Sequence, residues 1–508
     1  MFTTDVLVAG AGPAGLATAV TALRHGARVL VVERRAGTST VPRATGVSIR
    51  TMELFRLWGV AEAVRAGSVD CDPTVAVTRT LAEEPQEIVP LAYPPLRDTL
   101  AASPALPALC PQDHIEPVLV AEVRRLGGVV RFGAALTGLR TTSDGVRAVL
   151  GQAGRVRARF VVGADGPRST VRTTLGIGWE HLGKVGEFEQ VLFLPDLAAR
   201  LERRTNALVF VKHPDAEGVL LPMGAGRWGF VRERRADGAG SPQQRWAVLL
   251  RTATGFPDLQ PEILGAVRYT MAADVASTYR AGPGFLVGDA AHRMTPFGGV
   301  GMNTAIHDGH ELGWRLAWAV CGLAGDGLLD SYAAEREPVG RANAVRNLRE
   351  ERDPADGLPR DLGGTYRSPV IADDGAPAAV GHHRTARPGE RAPHVWLRSR
   401  GRRVSTLDLF ENRLTVLAGP DGDGWDRGLP SVRPAGVPIE VLRVGRDLPD
   451  PRGMLRRAYQ LDDESAVLVR PDGVVAWRHD GPCRNHAAPL SAALATALGH
   501  AVPTAVAV

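Results

Sequence analysis

The feature that most constrains this chain is a glycine-rich turn close to its N-terminus. The turn, residues 10–15, has the pattern G-x-G-x-x-G and follows the apolar run 6–9 directly. Alanine and leucine recur at helical spacing after Pro13, and a second apolar run covers residues 27–33. This strand–helix–strand unit predicts an α/β fold built on a doubly wound sheet of parallel strands.

The glycines of the turn predict what it binds. Gly10, Gly12 and Gly15 allow a tight turn and let the backbone approach a pyrophosphate at the positive end of the following helix. Glu33 ends the second apolar run, and a carboxylate there suits a ribose with free hydroxyls and would repel a 2′-phosphate. The unit therefore predicts a dinucleotide site for FAD or NAD rather than for NADP.

Composition predicts a folded protein of several domains. With 508 residues, of which 44% are hydrophobic and 23% charged, the chain is too long for one core and predicts about two to four domains. The cysteines lie far apart without a Cys-x-x-Cys pair, at Cys71, Cys110, Cys321 and Cys483. This spacing disfavours a metal site, a redox motif or a disulfide framework and suits a reducing cytoplasm. No apolar run reaches the roughly 18 residues of a membrane helix, so we expect a soluble, cytoplasmic protein without a membrane partner.

The positive charge does not indicate nucleic-acid binding. Lys184 and Lys212 are the only lysines, and the net charge of +5 is spread along the chain. One dense basic patch consists of Arg398, Arg400, Arg402 and Arg403. A single aromatic neighbour, Trp396, and no binding motif accompany the patch, so we expect a solvated loop and no nucleic-acid partner.

Two later segments place an aspartate at the end of an apolar strand. Residues 162–169 read Val-Gly-Ala-Asp-Gly-Pro-Arg-Ser, and residues 288–296 read Gly-Asp-Ala-Ala-His-Arg-Met-Thr-Pro. Together with residues 10–15 they resemble the three-part signature of the class A flavoprotein monooxygenases, the para-hydroxybenzoate hydroxylase-like family. The resemblance implies a Rossmann-like, glutathione-reductase-type FAD-binding domain.

Further motifs extend the resemblance from residue 2 to about residue 350. They are Pro-Phe-Gly-Gly-Val-Gly-Met-Asn at 296–303, Tyr-x-x-Glu-Arg-x-Pro at 332–338, Pro-Arg-Ala at 42–44 and Cys-Pro-Gln-x-x-x-Glu at 110–116. One departure is visible, because many members have Gln at the position of Val300 and another Gln near His307. We expect FAD binding to survive it, since position 300 acts mainly through its backbone.

The resemblance implies that FAD binds along one extended site. The expected FAD-binding residues are Gly10, Gly12, Pro13, Ala14, Gly15, Glu33, Arg34, Arg43, Gln112, Asp165, Gly166, Asp289, Pro296, Gly299, Val300, Gly301, Met302 and Asn303. Backbone N–H groups of the turn 299–303 would lie near the isoalloxazine N1–C2=O, where a helix N-terminus stabilises the anionic reduced flavin. His292 is expected to make a structural hydrogen bond beside this loop.

The resemblance also implies the reaction. NADH or NADPH reduces the FAD, O2 adds to give a flavin C4a-hydroperoxide, and one oxygen atom passes to an electron-rich aromatic ring. The sequence contains one dinucleotide-binding unit, and Glu33 assigns that unit to FAD. The nicotinamide donor is therefore expected to bind transiently near Asp165, Arg168 and Arg172. The flavin carries the chemistry, so no catalytic side chain is assigned.

The substrate is expected to be an aromatic compound, of the polycyclic polyketide type found with larger members of the family. The residues expected to contact it are Trp228, Phe297, His213 and Arg232. Baeyer–Villiger insertion, inactivation of an antibiotic, and a non-catalytic FAD-binding partner protein are the alternatives. A halogenase is disfavoured, because the chain has no Trp-x-Trp-x-Ile-Pro and no lysine before Lys184.

These observations predict three domains. They are an FAD-binding domain (1–72, 110–177 and 280–355), a substrate-binding sheet domain of short, largely antiparallel strands (73–109 and 178–279), and a C-terminal domain (365–508), with a linker at 353–364. The last domain resembles the thioredoxin-like domain of the larger members. The sequence after its first strand reads Gly-Pro-Asp-Gly-Asp, without paired thiols, so we expect a structural module for packing or for a homodimer.

Overall fold

The computed structural model describes residues 1–500 apart from 43, 92, 196, 202–204, 236–240, 349–361, 363, 374, 376–384 and 400. Arg43 and Arg400 therefore lie outside the described residues, and so does most of the predicted linker 353–364. Within the described part, no helix combines the length and the apolar character needed to cross a bilayer.

The bounds of the strands and helices follow in chain order. The strands are β1 (Phe2–Ala9), β2 (Val29–Glu33), β3 (Gly46–Val47), β4 (Asp72–Thr78), β5 (Glu87–Pro90), β6 (Ala108–Leu109), β7 (Val129–Phe132), β8 (Gly138–Thr142), β9 (Gly145–Val149), β10 (Arg155–Gly163), β11 (Trp179–Leu194), β12 (Asn206–Val211), β13 (Gly218–Pro222), β14 (Trp228–Glu233), β15 (Glu262–Ala276), β16 (Arg280–Ala281), β17 (Gly284–Leu286), β18 (His292–Arg293), β19 (Trp396–Ser399), β20 (Arg402–Ser405), β21 (Leu414–Ala418), β22 (Ile439–Arg443), β23 (Ala466–Val469) and β24 (Val475–His479). The helices are α1 (Pro13–Arg24), α2 (Ile49–Leu57), α3 (Ala61–Arg65), α4 (Leu96–Ala102), α5 (Gln112–Arg125), α6 (Thr170–Thr174), α7 (Pro242–Thr254), α8 (Gly301–Val320), α9 (Asp326–Arg346), α10 (Asp423–Val432), α11 (Met454–Tyr459) and α12 (Ala487–Ala497).

The first sheet has the strand order β16-β17-β10-β1-β2-β7. Strand β1 runs parallel to both β2 and β10, and β17 is parallel to β10. Its centre is buried on both faces, since consecutive residues Val6, Leu7 and Val8 are all 0% exposed, as expected for strands covered by helices on each side. The predicted doubly wound α/β sheet is thus confirmed.

The second sheet has the order β18-β15-β11-β14-β13-β12-β4-β5 and is mainly antiparallel. Two of its strands are long: β11 has 16 residues and β15 has 15, where the sequence predicted only short strands. Strands β4 and β5 come from the segment 73–109 and pair onto β12 and each other. Residues 72–90 therefore form the edge of this sheet.

The C-terminal module, residues 385–500 as described, has a four-stranded sheet of order β22-β21-β23-β24. Strands β21 and β22 are parallel and joined through α10, whereas β23 and β24 are antiparallel. With α12 after β24, this is the thioredoxin-like arrangement that was predicted. Arg398, Arg402 and Arg403 of the basic patch lie in strands and not in a loop, because β19 and β20 form an antiparallel pair in which Arg398 lies opposite Arg403.

Buried ion pairs join the C-terminal module to α8 and α9. Arg470 donates from Nη1 and Nη2 to the two carboxylate oxygens of Glu335, at 2.7 Å each, and Arg315 Nη2 donates to Glu335 at 2.6 Å. Arg470 also donates to Asp472 at 2.5 Å, and all four side chains are 0% exposed. Burial, and then the neighbouring Asp472 carboxylate, raise the pKa of Glu311, another partner of Arg315, to about 7.

Candidate functional site

Close packing of α1 against α8 brings distant glycine-rich segments together. A Cβ atom added at Gly309 would lie 2.4 Å from the carbonyl oxygen of Ala14, and one at Gly313 would lie 2.7 Å from Thr21 Cβ. A Cβ atom at Gly288 would lie 2.8 Å from Ala14 Cβ. Only hydrogen fits at these positions, so the N-terminal ends of both helices and the turn after β17 converge.

The turn 10–15 has the shape expected for binding a pyrophosphate. Gly10 has φ +111°, and an added Cβ would lie 2.1 Å from the carbonyl oxygen of Ala164. An added Cβ at Gly15 would lie 2.1 Å from the carbonyl oxygen of Gly10. At Gly12, by contrast, the Cβ position has no atom of the described residues within 4 Å. Open space therefore lies beside Gly12. At this end of α1, which begins with Pro13 and Ala14, the first backbone N–H groups have no partner within the helix.

Among the other residues predicted to bind FAD, Glu33 contacts this turn directly. The Glu33 carboxylate accepts hydrogen bonds from the backbone of Ala11 and Arg35, at 3.0 Å each, and is half buried. Arg34 is exposed. Gln112 opens α5; its backbone N–H donates to Ala44 and its side chain donates to Glu116.

The aspartates after β10 and β17 have different surroundings. Asp165 Oδ2 accepts from the backbone N–H of Thr170 at 2.7 Å and so caps α6. Its Oδ1 is buried and has no hydrogen-bond partner in the described part of the chain. Gly166 follows with φ +83°. Asp289, by contrast, is exposed in the turn that follows β17.

Asp308 fixes the turn that carries Asp289. One carboxylate oxygen of Asp308 accepts from Gly288 N at 3.1 Å and pairs with His292 Nε2 at 2.6 Å. The other accepts from Arg336 Nε at 2.8 Å. His292 is 1% exposed, so it occupies a structural position beside the loop rather than one open to a ligand.

The loop 296–303 leads into the N-terminus of α8, which is 20 residues long. Gly299 has φ +65° and donates its N–H to the carbonyl of Pro296 at 3.1 Å. Val300, Met302 and Asn303 are buried, whereas Pro296 and Gly299 are exposed and Gly301 is half buried. Because α8 begins directly after the exposed Gly299, the positive end of its dipole lies at this loop.

The two faces of the second sheet differ in what covers them. Side chains alternate between faces along a strand. On one face, a row of directly paired residues is buried beneath α7: Val209, Leu220, Phe230 and Val191. On the other face, the next row is only half buried: Val77, Phe210, Val219, Val231 and Gln190. We call this second row the open face.

The turn between β13 and β14, at one end of the sheet that carries the open face, contacts the start of α5. In the turn between β13 and β14, Arg227 Nη1 donates to Asp113 Oδ2 at 2.6 Å. A Cβ at Gly224 would lie 3.2 Å from Pro111 Cγ. Both contacts lie at the start of α5, next to Gln112. The open face was not predicted from the sequence, although the alternating pattern of β12 to β14 contained the signal.

Of the residues predicted to contact substrate, two lie on the covered face. Trp228 is 1% exposed in the core beneath α7, and Arg232 pairs on that side with Glu189 at 3.2 Å. We therefore do not retain Trp228 or Arg232 as substrate contacts. His213 lies in the turn after β12 and Phe297 in the loop before α8, and both are half buried.

Comparison with known proteins agrees with this geometry. The FAD binding domain family matches residues 3–347, and the aromatic-ring hydroxylase C-terminal family matches residues 385–501. Aklavinone 12-hydroxylase RdmE of Streptomyces purpurascens is 40% identical over 509 residues, covering 94% of this chain and 95% of that protein. Tetracenomycin A2 monooxygenase-dioxygenase of Streptomyces glaucescens is 37% identical over 532 residues, covering 93% of each.

Solved structures show the same similarity. The ternary complex of aklavinone-11 hydroxylase with FAD and aklavinone superposes with a TM-score of 0.88 at 37% identity, covering 97% of this chain and 99% of that one. The chain therefore belongs to the family of FAD-dependent aromatic-ring hydroxylases. It is an FAD-dependent monooxygenase, similar throughout its length to the aklavinone and tetracenomycin enzymes.

Proposed function

We propose that this enzyme inserts one oxygen atom from O2 into an aromatic, polycyclic polyketide-like substrate, with NADH or NADPH as the reductant. The observation that carries the proposal is the largely apolar open face of a sheet whose β13–β14 turn contacts the start of α5, next to Gln112. A row of four apolar side chains and one amide (Val77, Phe210, Val219, Val231 and Gln190) offers a flat, largely hydrophobic surface to a fused-ring compound. The names of the relatives support the same substrate class.

The residues of the chain bind, orient and shield the reactants. Bound FAD supplies the redox chemistry that activates O2. We propose that the predicted FAD-binding residues keep their roles, with Gly12 facing the pyrophosphate and residues 299–303 facing the flavin ring. The N-terminal end of α8 would stabilise negative charge on the ring, and the open face would hold the substrate ring and exclude water from it.

A substitution on the open face tests this placement. Replacing Val231 with arginine puts a charge among apolar side chains, so we expect the variant to keep FAD but to lose substrate-stimulated NADPH oxidation by at least about tenfold. Val248→Arg on the outer side of α7, where Val248 is 60% exposed, is the matched control. Stopped-flow measurement of NADPH oxidation with a panel of polycyclic phenols compares the two variants. Equal turnover in the two variants would show that the substrate lies elsewhere.

The nicotinamide donor has a separate proposed contact. Arg172 is buried, with its guanidinium 4.0 Å above the Trp179 ring, whereas Arg168 is exposed beside Asp165. We expect Arg168→Ala to slow flavin reduction on the order of tenfold, because hydrogen bonds to charged groups are strong, while FAD binding stays unchanged. The exposed Arg147→Ala is the control. An equal loss of reduction rate and of FAD affinity would contradict this division.

The alternatives give different products. A Baeyer–Villiger enzyme would convert a ketone to an ester or lactone, and a non-catalytic partner protein would bind FAD without oxidising NADH or NADPH. Mass spectrometry of the products after turnover separates these outcomes from ring hydroxylation. A homodimer remains a prediction, which light scattering tests. A cytoplasmic location, which the dispersed cysteines favour, also remains a prediction, and cell fractionation tests it.

A further inference from the structure

Asn303 fastens the flavin loop to the elements behind it. Its Oδ1 accepts from the backbone N–H of Ser48 at 2.9 Å and lies 2.8 Å from Thr51 Oγ1. Its Nδ2 donates to the carbonyl oxygens of Gly46 at 3.0 Å and Gly299 at 2.9 Å. This one carboxamide therefore joins β3, the start of α2 and the loop. All of its contacts depend on the positions of its amide oxygen and amide nitrogen, which would exchange if the group rotated.

Thr51 connects this carboxamide to His307, one turn further along α8. Thr51 Oγ1 lies 3.0 Å from His307 Nε2. The hydroxyl has one proton, and Asn303 Oδ1 can only accept, so the proton of Thr51 belongs in the contact with Asn303. The oxygen of Thr51 must then accept from His307, which requires hydrogen on Nε2.

The surroundings of His307 favour the neutral ring. Burial lowers the pKa of His307 well below its usual value, and the nearby Arg336 and Arg50 lower it further. A neutral imidazole carries one ring hydrogen, which the contact with Thr51 places on Nε2. The result is a chain of two hydrogen bonds, in which His307 donates to Thr51 and Thr51 donates to Asn303.

The other end of the loop is anchored independently. Thr295 Oγ1 donates to the carbonyl oxygen of Asn347 at 2.6 Å, and Asn347 Nδ2 donates to the carbonyl oxygen of Thr295 at 3.1 Å. Between the two anchors, Gly298 and Gly299 both have positive φ. The orientation of the N–H groups in this stretch therefore depends on both anchors.

We propose that His307 is a positioning residue for the flavin: it holds Thr51, Thr51 orients Asn303, and Asn303 fixes Gly299 and the start of α8. The inference rests on the proposed placement of residues 299–303 at the flavin ring. Fixed N–H groups stabilise the anionic reduced flavin more than the neutral oxidised one. Loss of the chain should therefore lower the midpoint potential of the bound FAD as well as its affinity.

The test compares substitutions at two histidines of α8. His307→Leu removes the donor, and we expect FAD to dissociate on the order of tenfold more readily, the factor that about 1.4 kcal/mol represents, with a more negative midpoint potential. His307→Gln keeps an N–H donor and should restore both values. His310→Leu is the control, because His310 contacts Thr21, 3.3 Å away, and not the loop.

The measurements are redox titration of the bound FAD and fluorescence titration of the apoprotein with FAD. If His307→Leu does not fold, Thr51→Val interrupts the same chain and takes its place. An unchanged potential in His307→Leu, an equal shift in His310→Leu, or no recovery in His307→Gln would each overturn the role of His307.

Asn303→Ala separates this inference from the proposed site. A shifted potential in Asn303→Ala, together with no shift in His307→Leu, would overturn the role of His307 alone. An unchanged potential and FAD affinity in Asn303→Ala would instead overturn the placement of residues 299–303 at the flavin ring.

Discussion

We expect the replacement of Gly12 with valine to give a folded protein that is nearly colourless after purification. The space beside Gly12 is open in the protein, since no atom of the described residues lies within 4 Å of an added Cβ, so the fold tolerates the side chain. The same space is where the backbone must meet the pyrophosphate. FAD occupancy should therefore fall from nearly full to nearly zero, as measured by the flavin absorbance per polypeptide.

A second glycine makes a matched control. No described residue beyond its chain neighbours lies within 4 Å of a Cβ added at Gly364, and Gly364 has no left-handed backbone, but it lies outside the proposed FAD-binding residues. Gly364→Val should therefore keep full occupancy. A Gly12→Val protein that folds and retains one FAD per chain would show that the turn 10–15 does not contact the cofactor.

We expect the removal of Arg470 to destabilise the protein severely. Arg470→Leu leaves Glu335 and Asp472, both 0% exposed, to share Arg315 with its other partner Glu311. Breaking a buried ion pair by removing one partner costs about 3–5 kcal/mol. We expect an unfolding midpoint in urea far below that of the wild type, with the C-terminal module loosened from α8 and α9.

An exposed pair provides the comparison. Arg413 and Glu440 are 44% and 42% exposed, and such pairs contribute only about 0–1 kcal/mol. Arg413→Leu should therefore unfold almost as the wild type does. Equal midpoints for Arg470→Leu and Arg413→Leu would contradict the view that the buried ion pairs hold the module in place.

The local motifs predicted the first sheet well, because each apolar run and each glycine turn is readable within a few residues. The long strands β11 and β15 were missed for a physical reason. Their paired middle part is half exposed, so it lacks clean alternation, and register shifts at Gly183 and Gly186 interrupt it. The thioredoxin-like module was predicted from its resemblance to known members.

The site was predicted less completely than the fold. A strand pattern shows that Trp228 and Val231 lie on opposite faces, but the face that becomes buried is decided by α7, which is distant in sequence. The link from His307 to Thr51 has the same origin, because the two residues belong to helices that meet only in the folded protein. Resemblance to a family identifies motifs, whereas contacts between helices that are distant in sequence are seen only in the folded structure.

The most direct test of the central claim is turnover with isotopically labelled O2. The FAD-loaded enzyme, NADPH and a polycyclic phenol are incubated under the labelled gas, and the product is analysed by mass spectrometry. We expect a ring-hydroxylated product carrying one labelled oxygen atom, formed equally by the wild type and by Val248→Arg and at least about tenfold more slowly by Val231→Arg. Consumption of NADPH with the label found only in hydrogen peroxide, across phenols that the enzyme binds, would contradict it.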